Sequence, residues 1–297
     1  RLNIRAHDIA TKSTERIAAG AERYGFSGVQ LVAYKACESV AYERGGIDGE
    51  KALAIKNVLK RHRQEVVLIG AYFNPVHSDK EKVSKCRDIF KEYIDVAGVL
   101  GCDYIGSETG SYNDDKWTYN PLNRTEEALS RVTDVFGELA GYARQKGRMM
   151  AVEGAWGHVC HTPERLQELR ERIGIDKTKV IFDLFNYLYE GNFAERNGIL
   201  KEGLKLFGSD IIAFHLKDGV AEGGFRQVPI GRGEFDYGEI LGSINEVVPN
   251  AQLVFEGTTG DDIGYGVEYI RKKAEEAGVE ICLLYTSPSP RDSTSSR

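Results

Sequence analysis

The stretch Met149–Asn186, MMAVEGAWGHVCHTPERLQELRERIGIDKTKVIFDLFN, decides the fold. It opens on a short apolar run, MMAV, that ends at Glu153. A polar loop and a helix-patterned segment follow, and a second apolar run, VIF, ends at Asp183. Such runs read as strands of a parallel sheet, covered on both faces and joined by a crossover helix. Each acid therefore stands where a buried strand stops. A carboxylate there is costly unless it is paired or holds a metal. In a barrel of such units, the strand ends are also where active sites are built.

Outward from this stretch the pattern repeats. Downstream, IIAFH ends at His215 and QLVFE at Glu256. Upstream, strands are expected over Leu2–Ala6, Gly28–Tyr34, Val66–Phe73 and Cys102–Gly110. Helical periods run over Ser13–Tyr24, Gly49–Arg63, Asp79–Leu100 and Asn123–Lys146, with Ser13 or Thr14 as the cap of the first. Further helices are expected over Ala194–Phe207, Tyr237–Val247 and Asp261–Ala277. A long loop, GVAEGGFRQVPIGRGEFD, follows the seventh strand. About eight alternating units of roughly thirty residues predict an α/β chain, a single (β/α)8 TIM barrel over residues 1–281. An open doubly wound sheet would need a glycine-rich phosphate turn after its first strand, and RAHDIATKS has none. The Ser-, Pro- and Thr-rich segment from Cys282 to Arg297 is expected to be a non-native or disordered tail.

A net charge of −6 over 297 residues argues against a nucleic-acid partner held through phosphates. The five cysteines (37, 86, 102, 160 and 282) are odd in number and lack CxxC spacing, which points to free thiols and a cytoplasmic location. No apolar run reaches membrane-spanning length, so no membrane partner is expected.

Glu153, Asp183, His215 and Glu256 close the fifth to eighth expected strands, which are neighbours around one barrel mouth. Three carboxylates and an imidazole suit one divalent ion of intermediate hardness. Mn²⁺ comes first, with Mg²⁺, Co²⁺ and Zn²⁺ as alternatives. Such a set leaves positions for substrate oxygens.

The segments AVEGAWGHVCHTPERL, VIFDLFNYL, IIAFHLKDG, VPIGRGEFDYGEI and LVFEGTTGDDI resemble the xylose isomerase-like TIM barrel superfamily. The resemblance is to its sugar phosphate isomerase/epimerase branch, which includes the ketose 3-epimerases. It implies that Glu153 and Glu256 bind the metal and also exchange substrate protons, while Asp183 and His215 complete the ion's shell. A cation holding the carbonyl and neighbouring hydroxyl oxygens would stabilise an enediolate. One carboxylate would remove a proton from one face and the other return one to the opposite face. Moving the proton between adjacent carbons would instead give an aldose–ketose isomerase.

Where the ketose 3-epimerases carry a His three residues after the sixth-strand acid, this chain has Asn186, which can bind hydroxyls but cannot act as an acid or base. The type IV apurinic endonucleases of the superfamily need that His and an Asp-x-His after the seventh strand; HLKDGVAEGG has no such pair. Other candidate substrate contacts are His7, Glu108, His158 and Lys217, which shares the barrel face of His215 by strand alternation. Arg232, between two glycines in the long loop, is expected at the mouth.

The reading is therefore a metal-dependent isomerase or epimerase of a sugar or sugar phosphate. Alternatives on the same parts are an inosose dehydratase-like lyase, an apurinic endonuclease-like phosphodiesterase and a non-catalytic sugar-binding barrel. A homo-oligomer is compatible with the resemblance, since related barrels pair through outer helices or mouth loops.

Overall fold

The computed structural model describes residues 1–10 and 12–281. The tail expected at 282–297 lies outside them. Among the described residues, eight parallel strands close a barrel. In chain order these are β1 (Leu2–Arg5), β2 (Gly28–Leu31), β3 (Glu65–Gly70), β4 (Tyr104–Glu108), β5 (Met149–Glu153), β6 (Thr178–Asp183), β7 (Ile211–Leu216) and, after an inserted hairpin, β10 (Leu253–Phe255). β10 pairs with both β7 and β1, which closes the ring. The hairpin, β8 (Asp218–Val220) and β9 (Arg226–Val228), is antiparallel and fills the loop that the sequence marks as unusually long.

Helices wrap the ring: α1 (Thr14–Tyr24), α3 (Gly49–Arg61), α4 (Lys80–Leu100), α5 (Glu126–Gln145), α6 (Pro163–Ile173), α7 (Arg196–Phe207), α8 (Tyr237–Val247) and α9 (Asp262–Glu276), with a single turn, α2, at Ala33–Ala36. Their ends follow local chemistry. Ser13 accepts the Arg16 N–H and Asp79 those of Glu81 and Lys82; Thr162 accepts that of Arg165, with Pro163 in the first turn. Gly25 and Gly101 close α1 and α4 at φ 81° and 80°, a left-handed conformation that costs glycine little. No helix among the described residues is long and apolar enough to cross a membrane.

Two expected strands run too far. β2 stops at Leu31 and the chain turns into α2, while β3 stops at Gly70. The apolar pattern continues past both ends because the following loops are buried too. Phe73 packs edge-on against Phe90 and Phe136, with ring centroids 6.0 and 6.1 Å away.

One feature of the interior positions the site. Leu68, Ala151, Ile181, Ala213 and Val254 form a separate apolar layer from β3, β5, β6, β7 and β10. Side chains two residues apart on a strand share a face. Two residues beyond Ala151, Ile181, Ala213 and Val254 stand Glu153, Asp183, His215 and Glu256. Those four residues are thus aimed inward at the mouth by the alternation that fills the barrel below them.

Candidate metal centre

The four strand-end residues meet around one imidazole. His215 Nδ1 lies 3.3 Å from Glu153 Oε1, 3.7 Å from Asp183 Oδ2 and 3.0 Å from Glu256 Oε2. Asp183 and His215 are register partners on adjacent strands. Among the described residues, ligand atoms of Glu153, Asp183 and His215 lie within 4.8 Å of one another, a spacing that could hold a metal ion. All three residues are buried.

The donor set passes a further test of fit. Both ring nitrogens of His215, and Oδ2 of Asp183, are buried without a well-aligned hydrogen bond. Orphaned buried polar atoms are expensive, and two of these, His215 Nδ1 and Asp183 Oδ2, lie 3.7 Å apart beside the other carboxylates. A divalent cation bound by oxygen and by one imidazole nitrogen would satisfy His215 Nδ1 and Asp183 Oδ2 together.

Glu256, expected as a fourth ligand, sits just past β10 and is divided between partners. Its Oε1 pairs with Arg5 Nη1 at 2.8 Å and Lys217 Nζ at 2.9 Å, while Oε2 faces His215. It falls outside the compact three-residue group because these cations draw its carboxylate aside. Arg5 is fixed in turn by a two-point contact with Asp8, at 3.0 and 2.8 Å.

Burial and charge act in opposite directions across the cluster. Burial pushes the Glu153 carboxyl up, with His215 pulling the other way. Burial also opposes charge on Glu256, but Lys217 and His215 outweigh it and hold that carboxyl well below its usual range. For His215, burial is likewise overcome, by Glu153 and Glu256, and its basicity rises.

Other candidate residues fall into two groups. Asn186 and Lys217 belong to the cluster. Asn186 Nδ2 donates to Glu153 Oε1 at 2.8 Å, and Lys217 Nζ donates to Asn186 Oδ1 at 2.9 Å. Glu108, the register partner of Glu153 on β4, faces a cavity of about 290 Å³ that Glu153 and Glu256 also line. Burial, then Glu153, pushes its carboxyl well up. His7 lines the same cavity; burial, then Arg5, lowers its pKa to about 4. His158 is buried behind Glu108, its Nδ1 4.0 Å from Oε1, with the Trp117 ring edge-on.

Arg232 is placed elsewhere. Its guanidinium lies 3.9 Å over the Tyr265 ring and 3.5 Å from Asp262, on the α9 side of its loop. The turn is set by Asp218, whose buried carboxylate accepts the N–H groups of Gly231, Gly233 and Phe235 and leaves the arginine pointing outward. Cys160 is fully buried, and that burial pushes its thiol up to about 12, which disfavours the nucleophilic thiolate.

Sequence reading misses Arg5 and the pair Gln30–Tyr72. Gln30 Nε2 donates to the Tyr72 hydroxyl at 2.8 Å, and that hydroxyl donates to Glu153 Oε2 at 3.5 Å. Strand alternation carries the signal for Arg5, which follows the buried Asn3 by two positions on β1.

Solved structures match this architecture. A D-tagatose 3-epimerase-like protein superposes with a TM-score of 0.74 at 18% identity, over 94% of this chain and 98% of its own. A D-psicose 3-epimerase crystallised with D-fructose gives 0.65 at 15% identity, over 93% and 96%. The IolI protein with a bound zinc atom gives 0.67 at 15%, over 93% and 97%. At such identities the likeness speaks for the fold alone. No curated protein matches the chain in sequence. A family model does, over residues 18–273, and with it the chain belongs to the xylose isomerase-like TIM barrel family.

Proposed function

We propose that the protein is a divalent-metal-dependent isomerase or epimerase of a sugar or sugar phosphate. The observation that carries this reading is the pairing of Glu153 and Glu256 across one imidazole, at 3.3 and 3.0 Å from His215 Nδ1. They come from β5 and from the end of β10, with β6 and β7 between them, so they reach the centre from different walls. Two carboxylates so placed suit removal of a proton from one face of a carbon and its return to the other. The epimerases among the structural neighbours support a small sugar as substrate.

The chain's own residues divide the work. Glu153 and Glu256 move the proton, the order depending on the sugar's configuration. Asn186 and Tyr72 orient the two oxygens of Glu153, and Arg5 keeps Glu256 ionised, joined by Lys217 before the ion binds. Glu108 and His7 face the cavity where hydroxyls would be held. Glu153, Asp183 and His215 would hold the ion, with Glu256 joining from its ion pairs. When bound, the ion supplies charge stabilisation for the oxyanion that develops as a C–H beside a carbonyl ionises. Mn²⁺ suits the mixed donor set best, and Zn²⁺, which the IolI structure holds, is the first alternative.

The test is a solvent-deuterium incorporation screen over ketoses, ketose phosphates and inososes with added Mn²⁺ or Zn²⁺. The expected result is deuterium at one carbon without loss of water, abolished by Glu153→Gln and by Glu256→Gln. Loss of water would assign a lyase on the same site. Absence of exchange from every sugar and polyol, with either metal, would overturn the proposal.

A further inference from the structure

Lys217 carries the inference. It follows His215 by two positions and projects into the same centre, where it is buried to within 6% of full cover. Its Nζ lies 2.8 Å from Asp183 Oδ2 and 2.9 Å from Glu256 Oε1, and it donates to Asn186 Oδ1 at 2.9 Å. The contact with Asp183 is out of line for a hydrogen bond, since Oδ2 remains without one. It is a Coulombic contact: a fixed positive charge set against the carboxylate oxygen that also faces His215.

We infer that Lys217 is an internal counter-cation that competes with the metal ion for Asp183 and Glu256, and that it is displaced when the ion binds. This rests on the proposed metal site. Three carboxylates within reach of one imidazole repel one another strongly in a buried setting, and a resident ammonium offsets that repulsion. The same ammonium presents a like charge to any cation that Asp183 would hold. Tight binding of both at once is therefore unfavourable, and the long lysine stem allows the charge to move where a backbone donor could not. A destination is available. The Phe185 ring centroid is 5.8 Å from Nζ, and Asn186 Oδ1 already accepts from it. Lys217 is thus a positioning residue for the metal-free carboxylates and sets the affinity of the site.

Two measurements on the full chain test this. Mn²⁺ affinity is measured by calorimetric titration for the chelator-treated wild type and for Lys217→Met, with far-UV circular dichroism to establish that the variant folds. Removal of the competing charge is expected to tighten Mn²⁺ binding by about tenfold or more and to lower the melting temperature of the metal-free form. In the wild type, acetylation of Lys217 by acetic anhydride, read by peptide mass spectrometry, is expected to rise several-fold on saturation with Mn²⁺, and this arm does not depend on the variant folding. Equal or weaker Mn²⁺ binding by folded Lys217→Met overturns the inference and leaves the metal site standing. So does unchanged acetylation in the Mn²⁺-saturated wild type. Failure of both proteins to bind Mn²⁺ or Zn²⁺ removes the metal site itself, and the inference with it.

Discussion

The amide of Asn186 bridges Glu153 and Lys217, donating from Nδ2 to Glu153 Oε1 at 2.8 Å and accepting at Oδ1 from Lys217 Nζ at 2.9 Å. The amide performs both tasks without adding charge, whereas a carboxylate there would repel Glu153 and an imidazolium would repel Lys217. Asn186→Ala leaves Glu153 with the longer contact to Tyr72 and frees its rotamer. Loss of one hydrogen bond to a charged group costs about 1.5–3 kcal/mol. The deuterium-exchange rate of the variant is therefore expected to fall roughly ten- to a hundredfold. An exchange rate within about twofold of wild type would show that Tyr72 alone orients the carboxylate.

Asp218 pins the long loop after β7. Its carboxylate accepts four backbone N–H groups, from Gly219, Gly231, Gly233 and Phe235, at 2.9–3.2 Å. Gly233 is required for the approach, because a Cβ there would come within 2.1 Å of Asp218 Oδ1. Asp218→Ala is expected to destabilise the protein by about 3 kcal/mol, since several buried N–H groups lose their acceptor together. Proteolysis should then begin in the exposed turn at Glu222–Gly223, faster than in the wild type. Urea denaturation and limited trypsin or Glu-C digestion check the two effects separately.

Much of this architecture is legible in sequence because buried parallel strands write themselves as apolar runs. The same logic exposes Glu153 and Asp183, since an ionisable residue ending such a run stands out against it. What fills the opposite wall is less visible. Arg5 and Gln30 lie within β1 and β2, where a polar residue looks like an interruption of a four-residue strand and not like the rim of a cavity. Tyr72 is hidden by the apolar loop that continues past β3. The diversion of Glu256 toward Arg5 and Lys217, and of Arg232 toward Tyr265, depends on competition between side chains distant in sequence. Local pattern does not encode that competition.

Gly203 on α7 faces the Phe182 ring at the back of β6. A Cβ at this position would lie 2.1 Å from Phe182 Cε2, and that ring is held by Tyr187, Phe207 and Phe214 with almost no exposure. Alanine gains about 1 kcal/mol in helix propensity over glycine, whereas overpacking a filled core costs about 1–3 kcal/mol. With the ring boxed in, the steric cost dominates. Gly203→Ala is expected to lower stability by up to about 2 kcal/mol, and Phe182→Leu should be less destabilising in the Gly203→Ala background than in wild type. A double-mutant cycle in urea measures that coupling; additive effects would show that the helix shifts away from the strand.

His158 gives the fold an acid-sensitive point outside the metal ligands. Burial lowers its pKa to about 4, and Nδ1 has no hydrogen-bond partner, so the folded state holds the ring neutral. In the unfolded chain the ring titrates near 6.5. Above pH 6.5 both states carry a neutral ring and His158 adds no pH dependence. As pH falls from about 6.5 toward 4 the unfolded state takes up a proton that the folded state refuses, so stability declines across that window and levels off below it. The full loss is about 3 kcal/mol. His7, held down to about 4 mainly by burial, contributes with the same sign. Urea midpoints at pH 7 and pH 5 should therefore differ clearly in the wild type, less in His158→Gln, and least in the variant that also carries His7→Gln. An equal pH 7-to-5 difference in His158→Gln and wild type would mean that water reaches the ring and solvates its charged form.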